Sequence, residues 1–131
     1  MAHTDTISDL LVRISTAGHA RLEQVVLPNS KLIASIVTAL ERHGYVEVLP
    51  KKGKKAHRQI EINLRYDGKT PRVKGVCRIS KSSKRVYYKS KNIMPVKSGY
   101  GSLILSTPKG ILTDTEARKE NVGGEALFQI W

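Results

Sequence analysis

The sequence predicts an α+β protein of two small contacting lobes, helix-strand-helix-strand-strand followed by a mostly antiparallel β lobe with one short helix. Three observations lead there. Apolar residues recur at helical spacing in two early segments, Ile7, Leu10, Leu11, Ile14 and then Leu32, Ile33, Ile36, Val37, Leu40. From Gln59 to Tyr66 the pattern switches to period two, with Ile60, Ile62, Leu64 and Tyr66 on one side and Glu61, Asn63 and Arg65 on the other. Beyond Ser80, short apolar runs separated by turn residues leave room for only one more helix. A chain of 131 residues suits one domain, or two lobes that bury enough surface by leaning on each other. The lobes are expected over 1–79 and 80–131.

Each element follows from its own residues. Thr4 or Asp5 can cap the first helix, and Gly18 is placed to end it. Gln24 to Leu27 is a brief strand closed by Pro28, and Asn29 or Ser30 caps a second helix that Gly44 stops in the left-handed region. Tyr45 to Leu49 and Gln59 to Tyr66 read as strands, with a hairpin turn at Asp67-Gly68 and a returning strand over Val73 to Ile79. Val86 to Lys89 is a short strand and Ser102 to Thr107 a longer one. Thr113 and Glu116 have capping-box spacing at the start of a helix over Thr113 to Asn121, which Gly123-Gly124 stops before a closing strand from Glu125 to Trp131.

Charge narrows the function. The net charge is +12, yet Lys51 to Lys97 holds 16 Lys or Arg against only Glu61 and Asp67, a net of +14. The remainder is slightly acidic. Self-repulsion on that scale is relieved best by a polyanion, and nucleic acid fits better than a membrane surface because the basic residues do not line one side of an amphipathic helix. No apolar run approaches bilayer length. MAHTDTISDLL lacks the basic leader and hydrophobic core of a secretory signal, and the single Cys77 cannot form an internal disulfide, which suits a reducing compartment.

The inventory speaks against an enzyme. His3, His19, His43 and His57 show no metal-ligand spacing, and Cys77 has no Cys or His partner and reads as a small buried strand residue. Gly68-Lys69-Thr70 resembles the end of a phosphate loop, but Asn63 occupies the required upstream glycine position. Gly99-Tyr100-Gly101 lacks the third glycine of a dinucleotide fingerprint. No cofactor and no small-molecule substrate is implied.

The stretch LSTPKGILTD, Leu105 to Asp114, reads as a turn ending a strand, and its chemistry suits RNA. Duplex RNA exposes 2′-hydroxyls and base edges in a shallow minor groove, where short hydroxyl side chains and bare backbone fit. Ser106 and Thr107 supply hydroxyls, Gly110 admits the main chain, and Lys109 can meet a phosphate. Upstream, Arg85, Tyr87 and Lys89 share a strand face, a basic pair around one ring that can stack on a base or ribose. Glu125 can orient a backbone amide or accept from a sugar or base. Each also has a plain reading, as turn former, cross-strand aromatic or surface carboxylate.

LILSTPKGILTDTEARKENVGGE, with RVYYK before it and DTISDLLVRI and LPNSKL near the N-terminus, resembles the eighth protein of the bacterial small ribosomal subunit, the S-eight family. The likeness covers nearly the whole chain. It implies two α+β lobes in contact, a non-catalytic role, and binding to a helical, internally bulged region in the central domain of small-subunit rRNA early in assembly. It implies RNA contacts by Ser106, Thr107, Lys109, Gly110, Tyr87 and Glu125, and backbone contacts by Thr4, Arg13 and Lys31. It also implies neighbouring small-subunit proteins and the protein's own mRNA as partners, and a place in the ribosome, in the cytoplasm or an organelle's stroma or matrix. Pro108 departs from the family's usual serine, and Ser15-Thr16 from its usual Arg-Asn. The rival reading is a protein interaction module in which Leu127, Phe128, Ile130 and Trp131 form a docking edge and the basic region keeps the chain soluble.

Overall fold

The computed structural model describes residues 5–50 and 59–131; Thr4 and the Lys51 to Lys55 cluster lie outside the described residues. The chain packs as two units, Met1–Lys74 and Gly75–Trp131.

The first unit begins with α1 (Thr6–His19), whose cap is Asp5: its carboxylate accepts from the Ser8 amide at 3.1 Å. Ile7, Leu10, Leu11 and Ile14 are all buried, as their spacing requires. Gly18 lies inside this helix rather than at its end. β1 (Gln24–Pro28) leads to α2 (Lys31–Arg42), where the Ser30 hydroxyl accepts from the Ile33 amide at 3.1 Å and Gly44 adopts φ 79° beyond the last turn. The buried stripe is Ile33, Ile36, Val37, Ala39 and Leu40. Leu32, assigned to that stripe from sequence, is 38% exposed and yields its place to Ala39, which lies three residues beyond Ile36 on the same face.

β2 (Val46–Val48) and β3 (Gln59–Leu64) complete an antiparallel sheet of order β1-β3-β2. In β3 the alternation is observed, Ile60, Ile62 and Leu64 buried and Gln59 and Glu61 exposed. Tyr66 ends that alternation: it belongs to β4 (Tyr66–Asp67), is half-buried, and its hydroxyl donates to the Leu22 carbonyl. β4 forms a minimal hairpin with β5 (Thr70–Pro71) through Gly68 at φ 67°.

In the second unit, β6 (Val76–Arg78), β7 (Tyr87–Tyr88), β8 (Ser102–Thr107), β9 (Gly110–Thr113) and β10 (Gly124–Ile130) make one antiparallel sheet of order β6-β10-β8-β9, with β7 also paired to β10. The expected returning strand over Val73 to Ile79 is therefore only three residues long and pairs Val76, Cys77 and Arg78 with Ile130, Gln129 and Phe128. It does not return along β3, and the unit boundary falls before it, at Lys74/Gly75, rather than after Ile79. Gly75 must lack a side chain there, because a Cβ would lie 2.5 Å from the Trp131 ring. Cys77 is exposed, not buried, since β6 is an edge strand.

α3 (Asp114–Glu120) has the complete capping box: the Glu116 amide donates to the Thr113 hydroxyl at 3.3 Å and the Thr113 amide to the Glu116 carboxylate at 3.0 Å. Its stop is Asn121, left-handed at φ 55°, instead of the following glycines. Leu103, Leu105, Ala117 and Ala126 pack with Ile93 and Val96 into the core on the α3 side of the sheet. A bulge between Ala126 and Phe128 lets Ala126, Leu127 and Phe128 all be buried in succession. Leu127, Phe128 and Ile130 are thus core residues, which removes the docking edge proposed for the C-terminus.

Candidate nucleic-acid interface

The decisive geometry is a row across three strands. Tyr87 on β7 pairs with Glu125 on β10, and Glu125 pairs with Ser106 on β8. Residues directly opposite in antiparallel strands project to the same face, so the ring, the carboxylate and the hydroxyl stand side by side. That face is fully buried further along at Ile104, Phe128 and Ile130 and opens at this end. The opening is a groove of about 560 Å³ lined by Tyr87, Lys89, Ser90, Ser106, Thr107 and Glu125 with Tyr88, Pro108, Gly123 and Gly124.

Backbone proximity explains the glycine pair. A Cβ at Gly123 would overlap the Tyr88 carbonyl oxygen, and one at Gly124 the Ser106 carbonyl oxygen. The sequence alone assigns these glycines to a helix stop. Their function here is to let β7 and β8 close on β10, which leaves the groove floor free of side chains.

LSTPKGILTD is a β-hairpin, where a strand-ending turn was expected. Thr107 pairs with Gly110 across a two-residue loop, Pro108-Lys109, and β9 continues from Gly110 at φ 108°. The Thr107 hydroxyl is already engaged: it donates to the Gly110 carbonyl at 2.8 Å and accepts from the Lys109 amide at 3.1 Å. A hydroxyl has one proton and two lone pairs, so toward a ligand Thr107 can only accept. Lys109 forms an exposed ion pair with Glu120 at 3.1 Å, an interaction of small net value that a stronger anion can displace.

Glu125 is engaged as well. Its Oε2 accepts from the Ser80 hydroxyl at 2.6 Å and from Arg85 Nη1 at 2.9 Å. Partial burial pushes this carboxyl up, but the hydrogen bonds from Ser80 and Arg85 and the charges of Arg85 and Arg78 prevail and hold it below its ordinary value. Arg85 and Lys89 are exposed, and Tyr87 is 67% exposed; Val86 and Tyr88 turn inward against the core, as the alternation predicted.

The structure therefore gathers Tyr87, Ser106, Thr107 and Glu125 in one groove, with Lys109, Gly110 and Arg85 adjoining it in the hairpin and through the Glu125 ion pair. Arg13 and Lys31 belong to the first unit. Arg13 is held by Asp9 at 3.0 Å and by the Val26 carbonyl at 2.8 Å, and Lys31 is exposed at the start of α2. Ser90 and the glycine floor were missed. GG before a strand was their only signal, and it has a second meaning at a helix end. Among the described residues no group of His, Cys, Asp or Glu could hold a metal ion, and no helix is long and apolar enough to cross a membrane.

Residues 5–131 match the family model described as ribosomal protein S8. The chain is 44% identical over 129 residues to the small ribosomal subunit protein uS8 of Mycoplasmopsis synoviae, covering 98% of each chain. It is 40% identical over 131 residues to that of Erythrobacter litoralis, covering both chains completely. The class so defined is that of ribosomal structural proteins, not of enzymes. The chain belongs to the ribosomal protein S8 family.

Proposed function

We propose that this protein is a non-catalytic constituent of the small ribosomal subunit that binds a helical region in the central domain of small-subunit rRNA and helps nucleate its assembly, through the groove where β7, β10 and β8 meet. The row Tyr87, Glu125, Ser106 above a side-chain-free glycine floor carries the reading. It offers a stacking ring, a short hydroxyl and open backbone at one level, the combination that a shallow RNA minor groove or a splayed base can use. Lys89, Lys109 and Arg85 flank it as phosphate contacts, which supply salt-sensitive affinity while the groove supplies shape. Thr4, Arg13 and Lys31 are weaker candidates for backbone contacts from the first unit. Neighbouring small-subunit proteins are the expected protein partners, and a messenger that reproduces the rRNA fold, the protein's own included, would compete for the same groove.

Chemical footprinting of free small-subunit rRNA with the protein alone tests this. A compact protected region, lost with Tyr87→Ala at concentrations where Lys109→Ala still binds, is the expected result. Protection spread over unrelated helices, unchanged by Tyr87→Ala, would contradict groove recognition.

A further inference from the structure

Beside the groove, Lys81 to Lys84 forms a tight reversal that the function so far leaves unused. Lys81 and Lys84 exchange two backbone hydrogen bonds, each 3.0 Å, across Ser82 and Ser83. That is the hydrogen-bonded pair of an antiparallel ladder, which sets two like-charged side chains directly opposite each other on one face. Such a pairing is unfavourable by itself, and all four residues are exposed, so no core burial holds it. Polar bonds from its two flanks do. The Ser80 hydroxyl, on a fully buried residue, accepts from the Val86 amide at 3.1 Å and donates to Glu125, which Arg85 also grips. Arg78 Nε donates to the Ser80 carbonyl at 2.5 Å, and the Ser80 amide and Val86 carbonyl both bond to Ala126 on β10. One carboxylate thus adds a side-chain link, through Ser80 and Arg85, to the backbone bonds that tie both ends of the turn to the strand that carries the groove.

We propose that Glu125 is a positioning residue, which acts by clamping the Lys81–Lys84 turn so that its two facing lysines form a ready phosphate contact for RNA lying in the groove. This rests on the rRNA-binding reading and makes it more specific. A phosphate between the two ammonium groups relieves their repulsion, while the clamp removes the ordering cost that a free lysine-rich loop would meet on binding. The charged groups facing Glu125 are Arg85 and Arg78, with Ser80 the neutral donor.

Amide hydrogen exchange of the full chain without RNA reads the clamp directly. Glu125→Ala is expected to speed exchange of the Val86 amide by roughly tenfold, with the Phe128 and Ile130 amides unchanged; Glu125→Gln, which keeps an acceptor for Ser80, recovers part of the protection. Should Glu125→Ala fail to fold, Arg85→Gln carries the same test. With an in vitro transcript of small-subunit rRNA, Glu125→Ala is expected to weaken binding by about tenfold, and Lys81→Ala/Lys84→Ala to lower the slope of log affinity against log salt by roughly one to two. An unchanged Val86 amide in the Glu125 and Arg85 variants overturns the clamp. An unchanged salt slope in the double lysine variant overturns the phosphate contact. Absence of transcript binding by the parent chain would instead overturn the rRNA reading itself, and the exchange result would stand apart from it.

Discussion

The two units solve burial differently, and the difference sets where the candidate site lies. In β3 of the first unit exposure alternates from residue to residue, so its exposed polar side chains are spread along the strand between buried apolar ones. In the second unit it changes along the strand: Ser102 to Leu105 are all buried while Ser106 and Thr107 are half-exposed, and Ala126 to Phe128 are buried while Gly124 and Glu125 are half-exposed. Alternation spreads polar groups over a sheet. An end-to-end switch gathers them where several strands run out, which is how a ring, a hydroxyl and a carboxylate from distant parts of the chain come to one groove.

The sharpest way to break this contrast is at the glycine floor. Gly124→Val sets a branched side chain against the Ser106 carbonyl and should cost more than about 4 kcal/mol, because strands rather than side chains must part. The effect is expected in the fluorescence of Trp131, the single tryptophan, with the helical signal of α1 and α2 persisting. Loss of both together would show that the units unfold as one. Next, Ile36→Ala leaves a cavity in the first unit's fully buried core and should lower stability by roughly 3 kcal/mol in chemical denaturation, with rRNA affinity of the folded fraction unchanged. Thr113→Ala removes the α3 capping box and is expected to cost about 1–2 kcal/mol by the same measurement.

Glu125 sharpens the comparison through pH. Its folded pKa lies below the ordinary value of 4.5, so its contribution is complete above that value and is lost as pH falls through the folded one. Acid titration of stability should show a steeper loss below that ordinary value in the parent chain than in Glu125→Gln. The smallest effect belongs to the first unit's surface: Asp9→Asn breaks an exposed ion pair with Arg13 and should change the stability read from chemical denaturation by no more than about 0.5 kcal/mol.

What could be read in advance follows the same division. Helical periodicity identified Ile7 to Ile14 and Ile33 to Leu40, and period two identified Ile60 to Leu64, because one-sided burial writes itself into spacing. Ser102–Thr107 and the Thr113 capping box were also legible. β9 was not, since its four residues begin at Gly110, just past Pro108, where turn chemistry dominates, and only their pairing with β8 makes them a strand. Cys77 and the boundary at Lys74 depended on β6 choosing β10 over β3, a long-range pairing with no local mark. The groove residues Tyr87, Ser106 and Thr107 were named from their chemistry. That the Thr107 hydroxyl and the Glu125 carboxylate are held by Gly110, Lys109, Ser80 and Arg85 required register.

The central claim, that the open end of β7, β10 and β8 receives structured RNA, is tested most directly by mapping which backbone amides of the protein become protected when it binds free small-subunit rRNA. The account predicts new protection at Tyr87 to Ser90, at Ser106, Thr107 and Lys109, and at Gly123 to Glu125. Unchanged exchange at these positions, with protection confined to the first unit, would contradict it.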